Sequence, residues 1–168
     1  MRQPRRAARF IGGLTMQDQE IFNGLIATYR DLNLRIRPLP EERLRLGQGR
    51  GTIKNVIKDM RDDELRFSQA LKDRLAGAPM AEVLKALGAA DEAEELVVPG
   101  PDDTVAEVLS QFGTARESTL AMLRGMTPDD WDAPGAGGIT IRQASEGLLG
   151  NDSRHMEKIV RLLGSPSA

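Results

Sequence analysis

Histidine occurs once in this chain, at His155, within the run Asn151-Asp152-Ser153-Arg154-His155. Helical spacing turns that imidazole inward and sets Asp152 beside it, a pairing that metal centres and proton-transfer sites both use. Asn151 stands four positions before His155, so both side chains reach one point on a helix. Asp59, on a second helical segment, can add a carboxylate oxygen. Together Asp59, Asn151 and His155 form a weak divalent-metal set, because an amide oxygen is a poor zinc ligand. Glu64 and Arg116 also fall on apolar stripes, with Asp63 at a stripe edge. Buried charges are costly unless paired, so these groups should face one another. Two readings follow. In one, Arg116 pairs with Glu64 or Asp152, His155 is hydrogen-bonded, and the cluster only holds the fold. In the other, Glu64, Arg116 and Asp152 line a ligand pocket beside an ion held by Asp59, Asn151 and His155.

Helices must position these residues. Four segments carry apolar residues at helical period, separated by Gly- and Pro-rich breaks. The first runs from about Gln17 to Arg37 on a stripe of Ile21, Leu25, Tyr29, Leu32 and Ile36, and Pro38 and Pro40 stop it. Thr52 is an N-cap for the second, which reaches about Leu75 through Ile53, Val56, Ile57, Met60, Phe67 and Leu71. The third spans about Asp103 to Gly125, with Val105, Val108, Phe112, Thr119 and Leu123 inward. Residues Thr127 to Trp131 read as a capped turn, with Trp131 closing the end of the helices. The fourth segment runs from about Thr140 to Leu163, with Ile141, Ala144, Leu148, Ile159 and Leu162 inward. A short helix is expected over Met80 to Leu87. The pattern predicts an all-α chain: a four-helix bundle with a long connection between its second and third helices.

Composition narrows the chemistry. With 168 residues the chain forms one domain able to close a core. Aromatic residues make up only 4%, so Leu, Ile, Val, Met and Ala must build that core, which favours helices. Cysteine is absent, which excludes thiolate nucleophiles and Cys-based zinc sites. A net charge of -2 gives no overall attraction to nucleic acid or anionic lipid. Residues 1-15 read as a basic extension with Arg2, Arg5, Arg6 and Arg9, residues 16-164 as the bundle, and 165-168 as a tail. The arginines lack the long apolar stretch of an export signal and the aromatic interleaving of a nucleic-acid arm. No apolar run reaches membrane-spanning length, and the cytoplasm is the expected compartment. The loop holding Gly47, Gly49 and Gly51 lacks the Gly-Lys-Ser/Thr ending of a phosphate cradle. Ser145 and Ser153 have no adjacent base by spacing. Asp62, Glu157 and the acidic run 91-95 read as solvated faces.

The run Thr52-Ile53-Lys54-Asn55-Val56-Ile57-Lys58-Asp59-Met60-Arg61-Asp62-Asp63-Glu64 resembles the second-helix signature of the DinB-like superfamily. Met126-Thr127-Pro128-Asp129-Asp130-Trp131, Ile139-Thr140-Ile141-Arg142-Gln143-Ala144 and the segment from Asn151 to Ile159 resemble its last helix and the turn before it. The resemblance covers about Gln17 to Leu163. It implies a four-helix bundle, often a homodimer, whose members commonly hold zinc or nickel through three histidines. One of those lies on the second helix and two lie on the fourth, in a His-x-x-x-His arrangement. Thiol-dependent S-transferases and a maleylpyruvate isomerase belong to the family. This chain departs from the pattern at the metal. Asp59 and Asn151 stand where two of the histidines would be, and only His155 matches. Glu64 and Arg116 match a glutamate and an arginine common in the family. Zinc and nickel prefer nitrogen ligands, so the substitutions imply weak metal binding. The expected protein is a small-molecule-binding or interaction protein with a degenerate metal site. The alternative is a divalent-metal-dependent S-transferase or hydrolase that takes a thiol or small-molecule ligand. There Glu64 or Asp152 would orient His155 or move a proton.

Overall fold

Among the described residues of this computed structural model, every element long enough to build a core is a helix. The structure describes residues 15-45, 51-77, 103-134 and 139-164. Its helices are α1 (Met16–Ile36), α2 (Glu41–Leu44), α3 (Ile53–Leu75), α4 (Val105–Gly125), α5 (Pro128–Asp132) and α6 (Ile141–Gly164). The expected helix over Met80 to Leu87, the extension before Thr15, the acidic run 91-95 and the tail 165-168 lie outside the described residues.

The helix starts follow from local chemistry. Thr15, Thr104 and Thr127 each cap a helix reciprocally with the acid three residues on, Asp18, Glu107 and Asp130. Thr140 and Gln143 exchange the same pair of bonds at the start of α6. Each such box satisfies two of the donors that a helix start leaves free. Pro128 opens α5, where its missing N–H costs nothing. The short α2 was not expected from the sequence; Pro40 precedes it and Leu44 is its buried residue.

The expected stripes are the buried faces. They form two apolar clusters. One joins Leu32 and Ile36 of α1, Leu44 of α2, Ile53, Val56, Ile57 and Met60 of α3, Val105, Val108, Leu109 and Phe112 of α4, and Ile159 of α6. The other joins Ile21 and Leu25 of α1, Phe67 and Leu71 of α3, Leu123 of α4, Met126, Trp131 of α5, and Ile141 and Leu148 of α6. Burial of each large side chain stabilises by about 1.5–3 kcal/mol. Trp131 is fully enclosed and closes this second end, as expected.

Cluster membership also fixes direction. Helices α1 and α6 run from the Trp131 cluster to the other, while α3 and α4 run the opposite way. Each long helix packs chiefly on two others, in the cyclic order α1, α4, α3, α6, with α3 against α4 the most extensive pair. Consecutive long helices α3 and α4 are therefore parallel neighbours. The end of α3 and the start of α4 thus lie at opposite ends of helices roughly 30 Å long. Among the described residues, no helix is long and apolar enough to cross a membrane.

Candidate functional site

Between the two apolar clusters lies a polar layer. Glu64 falls on α3 between Met60 and Phe67, Arg116 on α4 between Phe112 and Leu123, and Asp152 on α6 between Leu148 and Ile159. Arg116 is the centre of this layer. Its Nη2 donates to Asp152 Oδ2 at 2.7 Å and lies 2.8 Å from Glu64 Oε2, and its Nη1 donates to the Leu25 carbonyl at 2.8 Å. The guanidinium also stands over the Phe112 ring, 4.9 Å from its centre. One side chain of α4 thus ties α1, α3 and α6 together.

Two acids share this one cation. Burial opposes the Arg116 charge, but Glu64 and Asp152 outweigh it and raise the arginine's pKa above its ordinary value. Burial pushes the Asp152 carboxyl up to about 6; Arg116 pulls it down, while Glu64 and Asp63 push it further up. The layer is closed. Arg116 and Glu64 are 0% exposed and Asp152 is 2% exposed, and the three expected pocket residues face one another. Among the described residues, the Glu64 oxygens accept no well-aligned hydrogen bond, and the buried Thr119 and Ser145 hydroxyls are unbonded.

His155 sits elsewhere on the same seam. It is half-buried on α6 and its Nδ1 is enclosed without a hydrogen-bond partner among the described residues. The expected partner, Asp152, is engaged by Arg116 instead. Burial lowers the His155 pKa; Asp63 and then Asp59 work against that, while Lys158 and Arg154 reinforce it. Desolvation raises both acids above the ordinary carboxylate range, with His155 the largest opposing influence on each.

Of the expected metal donors, Asp59 and His155 feel each other's charge across α3 and α6. His155 offers a free nitrogen. Asp59 is on the exposed side of α3. Asn151 is half-buried, and its Oδ1 accepts a hydrogen bond from Arg154 Nη2. Among the described residues, no group of three or more His, Cys, Asp or Glu side chains converges as ligands would. One imidazole and one exposed carboxylate fall short of the three protein ligands that even an open zinc site uses. The donors present do not fit a zinc or nickel centre.

Three polar features escaped the sequence reading. Arg61 is fully buried on α3; its Nε donates to Asp62 Oδ1 at 2.9 Å and its Nη1 to Gln111 Oε1 at 2.8 Å. Asp62, expected on a solvated face, is therefore buried at 9% exposure as the counter-charge of Arg61. At the Trp131 end, Arg142 pairs with the buried Asp18 and with Asp132 at 2.9 Å, and stands over the Trp131 ring. Its position was a signal: a cation in the first turn of α6 opposes the helix dipole unless an acid meets it. Finally, a groove of about 630 Å³ lies between α3 and α4. Ser68, Gln111, Thr114 and Ser118 line it, and the buried Ser68 hydroxyl is unbonded among the described residues.

Comparison of the chain with protein-family models, with characterised proteins and with solved structures gives no match.

Proposed function

We propose that the chain is a four-helix bundle of the DinB-like type with a degenerate metal site, working in the cytoplasm as a homodimeric small-molecule-binding or interaction protein. One observation carries this reading. The Arg116 layer is closed, while at the expected metal positions Asn151 bonds Arg154, Asp59 is turned to solvent and His155 alone keeps an unbonded nitrogen among the described residues. The up-down-down-up order of α1, α3, α4 and α6 supports the bundle assignment. The α3–α4 groove has the volume of a small-molecule site, and its lining mixes apolar Leu65 and Ala115 with hydroxyl and amide groups and the charged Lys72 and Glu107.

Native mass spectrometry of the untagged protein tests the reading. The expected species is a dimer without stoichiometric zinc or nickel. One zinc or nickel ion per chain, lost in His155→Ala, would overturn it and favour the metal-dependent enzyme.

A further inference from the structure

The floor of the α3–α4 groove holds a polar group that helix packing leaves without a partner. Ser68 lines the groove at 2% exposure, and its Oγ is enclosed and unbonded among the described residues. A buried hydroxyl without a bond is costly, and a ligand atom arriving there would relieve that cost. Lys72 follows Ser68 by one turn of α3 and lines the same groove, so its ammonium can reach the ligand that Ser68 meets. From α4, Gln111 lines the groove with its Oε1 held by the fully buried Arg61 at 2.8 Å. With that oxygen engaged, the amide has its N–H donors left for the groove. All three groups can donate, which selects an acceptor, while Leu65 and Ala115 supply an apolar wall.

The other end of the groove carries the opposite charge. Helices α3 and α4 are parallel, with Lys72 in the last turn of α3 and Glu107 in the first turn of α4. Glu107 Oε2 accepts from the Thr104 backbone N–H at 2.6 Å and from the Thr104 hydroxyl at 3.0 Å. These bonds hold its carboxyl below the ordinary range, so it stays ionised and disfavours a second anion at its end.

We propose that the α3–α4 groove binds a small monocarboxylate with an apolar body, the carboxylate meeting Ser68 Oγ and Lys72 Nζ and the body lying on Leu65 and Ala115. This inference rests on the small-molecule reading above and names the ligand class. Leu65 and Lys72 are two turns apart on α3, roughly 10 Å, which limits the body to a short chain or a single ring.

Hexanoate, adipate and hexanol test this by amide NMR titration of the full, isotope-labelled chain. The three share a chain length; adipate adds a second carboxylate and hexanol removes the charge. Hexanoate should shift the amides of Ser68, Gln111 and Ser118 and bind at least about five-fold tighter than either of the others. Ser68→Ala should weaken hexanoate by at least about five-fold, and Lys72→Met by about three- to five-fold. Ser68→Ala removes only an unbonded oxygen and Lys72 is exposed, so both variants keep the fold, which matched melting curves establish. Adipate or hexanol binding in the groove as tightly as hexanoate would overturn the inference and leave the small-molecule reading standing. Hexanoate binding unchanged in both variants would place it elsewhere and overturn the inference alone. No shift in the groove with any of the three would overturn the inference and remove the groove from the small-molecule reading.

Discussion

Asp152, which pairs with Arg116, and His155 are three residues apart on α6, yet their surroundings obey opposite rules. Around Arg116 the charges are buried, paired across four helices and shut off from solvent. Around His155 they are half-exposed, balanced by surface lysine and arginine, and no bond fixes the imidazole nitrogen among the described residues. The difference teaches where polar residues on these helices are locked together and where they are free to change. A charge in the closed layer cannot change without stranding its partners. A donor at the open seam can be replaced while water and neighbouring side chains absorb the change.

The largest effect should come from breaking the closed layer. Arg116→Ala leaves Glu64 and Asp152 buried against each other and should cost about 3–5 kcal/mol in urea denaturation. A loss below 1 kcal/mol would erase the distinction between the two regions.

Next comes the packing that seats the layer. Gly113 precedes Arg116 by one turn, and a Cβ there would lie 2.2 Å from Tyr29 Oη and 2.8 Å from Cζ. Tyr29 in turn meets the Phe112 ring edge-on at 5.7 Å. Gly113→Ala should therefore cost about 1–3 kcal/mol through overpacking, and an unchanged melting temperature would show that Tyr29 moves freely.

The excess acid in the layer gives a pH signature. Asp152 has a folded pKa near 6, above its ordinary 3.8. Between those values the folded chain holds a proton that the unfolded chain has released. Stability carried by this group is thus greatest near pH 4 and declines as pH rises towards 6. Asp152→Asn should remove that slope, and it should be tolerated far better than Arg116→Ala because Glu64 still meets the guanidinium. A stability profile identical in wild type and variant would contradict the shared-cation account.

The smallest effect belongs to the open seam. His155→Ala should change stability by less than about 1 kcal/mol. As the only histidine, His155 gives one unambiguous imidazole signal by NMR. It should titrate below 6.5, because burial disfavours its charged form. Titration above that value would mean that Asp63 and Asp59 dominate, and the seam would then resemble the paired layer.

How much of this could be read in the sequence differs between the two regions for the same physical reason. The apolar stripes are written in helical period, so charges interrupting them at Glu64, Arg116 and Asp152 stand out, and burial forces them together. Periodicity says little at a stripe edge. Asp62 looked solvated because a helix turns adjacent residues apart, yet Arg61 folds back onto it. The Arg142–Asp18 latch joins residues 124 positions apart; the cation in the first turn of α6 signals the need for an acid, but no local pattern says which one. Spacing on α6 sets Asp152 beside His155, but only the packing of α4 shows which of the two foreseen acids Arg116 bonds: it takes both Glu64 and Asp152.

The account stands on the claim that the acids of the closed layer depend on Arg116, and one comparison tests it directly. Urea denaturation would measure the cost of Arg116→Ala in the wild-type chain and again in a Glu64→Gln/Asp152→Asn background. The account predicts a large loss in the first and a much smaller one in the second, because no charge is left stranded. Equal losses in both backgrounds would contradict it and reduce Arg116 to a packing residue.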